Sequence, residues 1–174
     1  FDTGKELAEI SAGKELTSIK DVEFIKDIVK QVVEDNRDAA RAVRNGKKVT
    51  TIVELQARFD EEANILWGNK LMEEGVKVIY GVPGLKVHAK LCLITRTKGE
   101  ETQRFAAVGT GNFNEDTARI YTDHLLLTAN KKITYEVFKT FSFFNVNYRK
   151  DNYYHLVLSP FFLRNKMTQL IDNE

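Results

Sequence analysis

The chain lacks most of the features that would narrow its chemistry at once. Cys92 is its single cysteine. No intrachain disulfide is therefore possible, which suits a reducing compartment and an expected cytoplasmic location. No apolar run approaches membrane-spanning length and no signal peptide opens the chain, so neither membrane insertion nor export is expected. The formal net charge is only +1, with 26 Lys and Arg against 25 Asp and Glu. No global basic field advertises nucleic acid, and any polyanion site must be local. The glycine and lysine spacing of a Walker phosphate loop is absent. So is a His/Asp/Glu spacing that would build a dedicated metal cage. The first residue is Phe1 rather than methionine, and a fragment of a longer protein is expected.

What remains is ordinary for a soluble domain: 174 residues, 43% hydrophobic and 29% charged, enough for one domain with a real core. Gly4–Ile10 echoes Gly13–Ile19, and the pair reads as short amphipathic turns rather than a solenoid. Val22, Ile25, Ile28, Val29, Val32, Val33, Ala40 and Val43 keep helical spacing over residues 21–44, and Asn45-Gly46 signals the stop. Lys47–Leu55 reads as a buried strand. Asp60–Glu74 reads as a helix with Ala63, Ile65, Leu66, Leu71 and Met72 facing in. Val76–Tyr80 is a strand, residues 81–84 a turn, and Thr97–Gln103 the polar tip of a hairpin whose second strand is Arg104–Val108. Residues 114–120 suggest a helical turn and Asp123–Thr128 a strand. Asn130 caps a helix from Lys131 to Asn145 that bears Ile133, Val137, Phe138, Phe141 and Phe144 as a core or interface stripe. Tyr153–Leu158 reads as a last strand. Ser159-Pro160 then opens a terminal helix with Phe162, Met167, Leu170 and Ile171. This order predicts an α/β fold with a mixed sheet flanked by helices on both faces.

The chemistry concentrates between Val87 and Asn112. Val87, Ala89, Leu91 and Leu93 alternate with His88, Lys90 and Cys92, so His88 and Lys90 are expected to share one face of a strand. A neutral imidazole is a nucleophile for phosphorus, and a neighbouring lysine neutralises phosphoryl oxygens. Gly109 and Gly111 allow backbone N–H groups to approach an anion, and Asn112 offers an amide to orient the histidine. Cys92 reads as a small strand residue.

His88-x-Lys90 followed by Gly109-x-x-Asn112 resembles a half-site of the phospholipase D superfamily. The strings Val53–Glu62, Pro83–Lys90, Gly109–Asn114 and Thr117–Asp123 resemble the polyphosphate kinase family more closely still. The likeness runs from about Gly46 to the C-terminus, and residues 1–45 stand apart as an atypical helical segment. It implies a phospholipase D-like fold and a phosphotransferase whose substrates are ATP (with ADP as product) and inorganic polyphosphate, with Mg²⁺. It also implies further domains of a longer enzyme and a homo-oligomer.

By the same resemblance His88 accepts the terminal phosphoryl of ATP as a phosphohistidine, Lys90 contacts phosphate, and Asn112 completes the catalytic set. Tyr121 matches a nucleotide-contacting position. Arg58 matches a position tied to the magnesium and phosphate centre, where a guanidinium binds the metal only indirectly, through phosphate oxygens. Asn114 and Arg119 are weaker candidates of the same kind. Glu54 and the carboxylates Asp60, Glu61 and Glu62 are alternative metal donors. His124 has no assigned role, and His155 reads as structural or exposed.

Two departures from the family are plain. The Leu-Tyr-Arg motif that precedes the first helix in relatives is absent from Ser18–Asp27, and the helical Arg37, Arg41 and Arg44 do not replace its arginine. Only one histidine carries the half-site pattern, so its partner is expected in another domain and the isolated chain to be folded but inactive or weakly active. The aspartate that follows the lysine in superfamily phosphodiesterases and nucleases is missing from Leu91–Thr95, which disfavours that alternative. A non-catalytic polyphosphate-binding domain is the other alternative.

Overall fold

A computed structural model describes residues 36–55, 61–113, 119–148 and 151–174. Most of the helix expected over 21–44 lies outside them. Its end is α1, Asn36–Arg44. There Gly46, at φ +73°, lets its own N–H reach Val43 O at 2.8 Å while Lys47 N reaches Ala42 O at 3.0 Å. The left-handed glycine thus satisfies the last carbonyls of the helix, as Asn45-Gly46 predicted.

Strand β1 (Thr50–Val53) pairs in parallel with β2 (Lys77–Tyr80), joined by α2 (Glu61–Glu73). A parallel pair requires such a crossover. β1 is shorter than Lys47–Leu55. The inward face of α2 also differs from expectation. Leu71 and Gly68 are buried, whereas Ala63, Ile65, Leu66 and Met72 are exposed. The reason is contact geometry. The Tyr80 ring lies against Gly68 so closely that an added Cβ would meet its hydroxyl at 2.4 Å. The helix therefore meets the sheet at its glycine, and the apolar residues around that notch point elsewhere. Gly75, at φ +86°, closes α2 as Gly46 closes α1.

The second ladder is antiparallel. β3 (Lys90–Lys98) pairs with β4 (Glu101–Gly109), and β4 pairs with β5 (Leu125–Thr128). The expected tip, Thr97–Gln103, contracts to a two-residue turn at Gly99-Glu100, because both strands run on to the Lys98–Glu101 pair. Parallel and antiparallel pairings are both present, as a mixed α/β fold requires, in separate ladders.

Alternation divides the faces of the β3–β4–β5 ladder. Phe105, Ala107 and Leu127 form a buried cluster with Cys92, Ile94, Phe113 and Ala129. The opposite face carries Arg104, Ala106 and Thr128. It lies under α3 (Lys131–Asn145), where the Arg104 guanidinium sits 4.7 Å from the Phe138 ring centroid. α3 starts where predicted. Asn130 Oδ1 accepts from the N–H groups of Lys132 and Ile133 at 3.0 and 3.2 Å. Within the expected stripe Val137 is fully buried and Phe138 stays largely exposed. Lys77 Nζ donates to Asn145 Oδ1 and links β2 to the end of α3.

Tyr153–Leu158 is not a strand. It crosses α3 as an irregular segment whose N–H groups at Tyr154, His155 and Leu156 donate to the buried Glu136 carboxylate at 2.7, 2.9 and 2.7 Å. A side chain takes the place of a strand partner. The terminal helix α4 spans Leu163–Asp172 and is preceded by Phe162 rather than capped by Ser159. Met167, Leu170 and Ile171 are exposed.

Candidate active site

The open end of the β3–β4 hairpin brings Lys90 beside Gly109, with His88 against Lys90. Register sets Lys90 opposite Gly109, and Gly109 opposite Leu125. Lys90 and Cys92 share the face away from α3, as alternation from Val87 requires. His88 itself does not lie on the strand. Ladder pairing begins at Lys90, and His88 is exposed in the irregular backbone just before it.

Lys90 nonetheless holds the histidine. Its Nζ donates to the His88 carbonyl at 2.8 Å and sits 3.0 Å from each ring nitrogen. An ammonium has donors only, so a ring nitrogen that accepts from it carries a lone pair. Partial burial pulls the Lys90 ammonium below its ordinary value, while Asp123 pulls it back up.

Asp123 belongs to a junction that sequence reading did not single out. Thr110 Oγ1 donates to Asp123 Oδ1 at 2.8 Å and accepts from His124 N–H at 3.0 Å, while Thr110 N–H donates to His124 O at 3.0 Å. The loop after β4 is thereby locked to the segment entering β5. Gly111 fits the junction by having no side chain. A Cβ there would stand 1.9 Å from Asp123 Oδ2. The signal that could have found Asp123 is its place at the end of the Thr117–Asp123 string. His124 enters the site through its backbone.

Other expectations fare differently. Asn112 follows the junction and is exposed, but makes no hydrogen bond to His88. Tyr121 is 66% exposed, on the segment leading to Asp123. Arg119 is exposed and engaged in an interaction. Arg58, Asp60 and Asn114 lie outside the described residues. Glu61 and Glu62 are exposed in the first turn of α2. Glu54 accepts from the Val87 N–H at 2.6 Å. His155 is structural, its ring Nδ1 3.4 Å from Glu136 Oε1. Burial pushes the Cys92 thiol up, in keeping with an inert core residue. Among the described residues no three His, Cys, Asp or Glu side chains cluster to hold a metal ion. No helix among them is long and apolar enough to cross a membrane.

The arrangement offers a nitrogen nucleophile, an adjacent ammonium, and a glycine-bearing loop fixed beside both. Comparison with known proteins points the same way. Residues 17–150 match the family described as polyphosphate kinase C-terminal domain 1. That match begins well before Gly46, so the upstream segment shares the family pattern despite its missing motif. The polyphosphate kinase of Salmonella typhimurium is 51% identical over 153 residues, covering 86% of this chain and 22% of that protein. That of Vibrio cholerae is 54% identical over 133 residues, covering 76% and 19%. The crystal structure of polyphosphate kinase from Porphyromonas gingivalis aligns with a TM-score of 0.67 at 39% identity, over 79% of this chain and 23% of that one. The chain thus spans under a quarter of the length of each.

Proposed function

The chain belongs to the polyphosphate kinase family, and from that premise we propose that it is one catalytic domain of a longer, cytoplasmic, homo-oligomeric phosphotransferase acting on ATP and inorganic polyphosphate. A ring nitrogen of His88 attacks the γ-phosphorus of ATP. The N–P bond forms as the bond to the β,γ-bridging oxygen breaks, and ADP leaves. A terminal oxygen of polyphosphate then attacks the phosphohistidine, forming a new P–O bond as the N–P bond breaks, and the imidazole is restored. Each step is reversible.

The single observation that carries this reading is Lys90 Nζ at 3.0 Å from the ring nitrogens of His88, beside Gly109 in the ladder. Before transfer the ammonium lies against the ring. During transfer its donors turn to the equatorial phosphoryl oxygens. Asn112 and the N–H groups around Gly111 face the same charge, Tyr121 meets the nucleotide, and Arg58 binds phosphate oxygens. Mg²⁺ enters with the substrate, as MgATP, held mainly by its phosphates. Neither His124 nor His155 sits in a second copy of the half-site pattern, so a second histidine is drawn from the rest of the enzyme.

The test is transfer from γ-labelled ATP with Mg²⁺ to this chain and to its His88→Ala variant, alone and within the longer enzyme. Acid-labile, base-stable label that disappears in the variant is the expected result in the longer enzyme, with little label on the isolated domain. Equal labelling of the variant, or hydrolysis of a generic phosphodiester instead, overturns the proposal.

A further inference from the structure

The backbone that carries His88 lies outside the ladder. Lys90 is the first residue of β3 to find a partner across it. The preceding turn is closed by a bridge between Val82 and Leu85. Between those points the segment 86–89 has no strand beside it among the described residues, yet a nucleophile needs a backbone held to a fraction of an ångström.

We infer that Glu54 is a positioning residue for His88. Glu54 directly follows β1, and its carboxylate Oε2 accepts the Val87 N–H at 2.6 Å, one residue before the histidine. Its own carbonyl accepts from Asn64 Nδ2 of α2 at 3.0 Å, so the glutamate is fixed at its backbone as well. The carboxyl end of the parallel pair therefore reaches across to the antiparallel ladder and holds the chain where the ladder does not. A charged acceptor on a backbone N–H is among the stronger hydrogen bonds available. Lys90 fixes the other side through the His88 carbonyl at 2.8 Å. His88 thus hangs between a carboxylate on the N–H before it and an ammonium on its own carbonyl. This assignment rests on the reading of His88 as nucleophile. It gives Glu54 work other than metal binding, the role its sequence left open.

Two substitutions separate the roles. Glu54→Gln keeps an acceptor oxygen at the same reach and discards the charge. Glu54→Ala discards both. In this chain, amide hydrogen exchange at Val87 is expected to accelerate at least tenfold in Glu54→Ala and only slightly in Glu54→Gln. Amides inside the β3–β4 ladder, such as those of Cys92 and Ala107, serve as a check on folding and keep their protection. In the longer enzyme Glu54→Ala is expected to lower kcat on the order of tenfold to a hundredfold, with KM for ATP within about twofold, and Glu54→Gln to recover most of the rate. Unchanged exchange at Val87 in Glu54→Ala overturns the inference. So does a Glu54→Gln enzyme as impaired as Glu54→Ala with Val87 still protected, because that marks a charge or metal role. An active His88→Ala enzyme sinks the nucleophile reading alone. The exchange data would then still report whether Glu54 holds Val87.

Discussion

Glu136 and Glu54 each hold passing backbone, and they do it differently. Glu136 is 3% exposed and takes three N–H groups, those of Tyr154, His155 and Leu156. Glu54 is half-buried and takes the Val87 N–H. The first fastens a stretch that bears none of the proposed catalytic residues. The second fastens the stretch that bears His88. Saturated and buried, a carboxylate acts as a rivet. Half-buried at an accessible edge, it sets a position beside a side chain that stays exposed to meet a ligand. Burial alone would push the Glu136 carboxyl up, but the three amides and the His155 ring outweigh it and hold the group below the usual carboxylate range.

The comparison breaks most decisively at Glu136. Glu136→Ala leaves those three amides without their partner, and a loss of about 3 kcal/mol, or roughly 6–12 °C in thermal midpoint, is expected. Phosphoryl transfer by the molecules still folded stays unchanged. A loss of activity without loss of stability would erase the distinction between the two glutamates. Acid gives the same answer without mutation. Because its folded pKa is depressed, Glu136 stabilises fully above the unfolded value of about 4.3. That contribution fades as pH falls through the folded value. Acid titration followed by amide exchange at residues 154–156 should therefore show this segment loosening, and Glu136→Gln should remove that acid sensitivity.

Gly111→Ala sharpens the other side. Its Cβ would collide with the Asp123 carboxylate and displace the loop beside Lys90. Transfer activity is expected to fall on the order of tenfold, with little change in thermal midpoint. Gly75→Ala is the smallest and the reverse. A left-handed φ and a Val43 contact at 3.2 Å stand against the new methyl, costing about 1 kcal/mol of stability with no effect on transfer. Denaturant titration beside the same transfer assay checks both.

The parts legible in the sequence are those whose partners are close along the chain. The Asn130 cap, the Lys131–Asn145 helix and the hairpin around Gly99 come from local rules, and the structure repeats them. The hairpin also returns Gly109 to the site, where the register sets it opposite Lys90 rather than His88. The misread parts depend on distant partners. Tyr153–Leu158 has the composition of a strand, but a carboxylate on α3 got there first. Ile65, Leu66 and Met72 looked inward by type, while the Tyr80 ring against Gly68 decided the packing. Asp123 drew no attention because its meaning lies in Thr110 and Gly111, met only after the chain turns back. His88 was placed on a strand that begins two residues later, since alternation cannot tell paired backbone from merely extended backbone.

The turn at Gly99-Glu100 settles something at the far end of its hairpin. Nine consecutive pairs run from the Lys98–Glu101 closure to the Lys90–Gly109 pair, both included, a span of roughly 27 Å at strand rise. Side chains alternate without exception along it, so the number of residues in the turn sets the parity of every position beyond. One residue more or fewer, with the ladder re-formed in the shifted register, would turn Lys90 toward the helix and bring Leu91 out in its place. The side on which this domain presents its cation is written in the length of a bend that never comes near a phosphate.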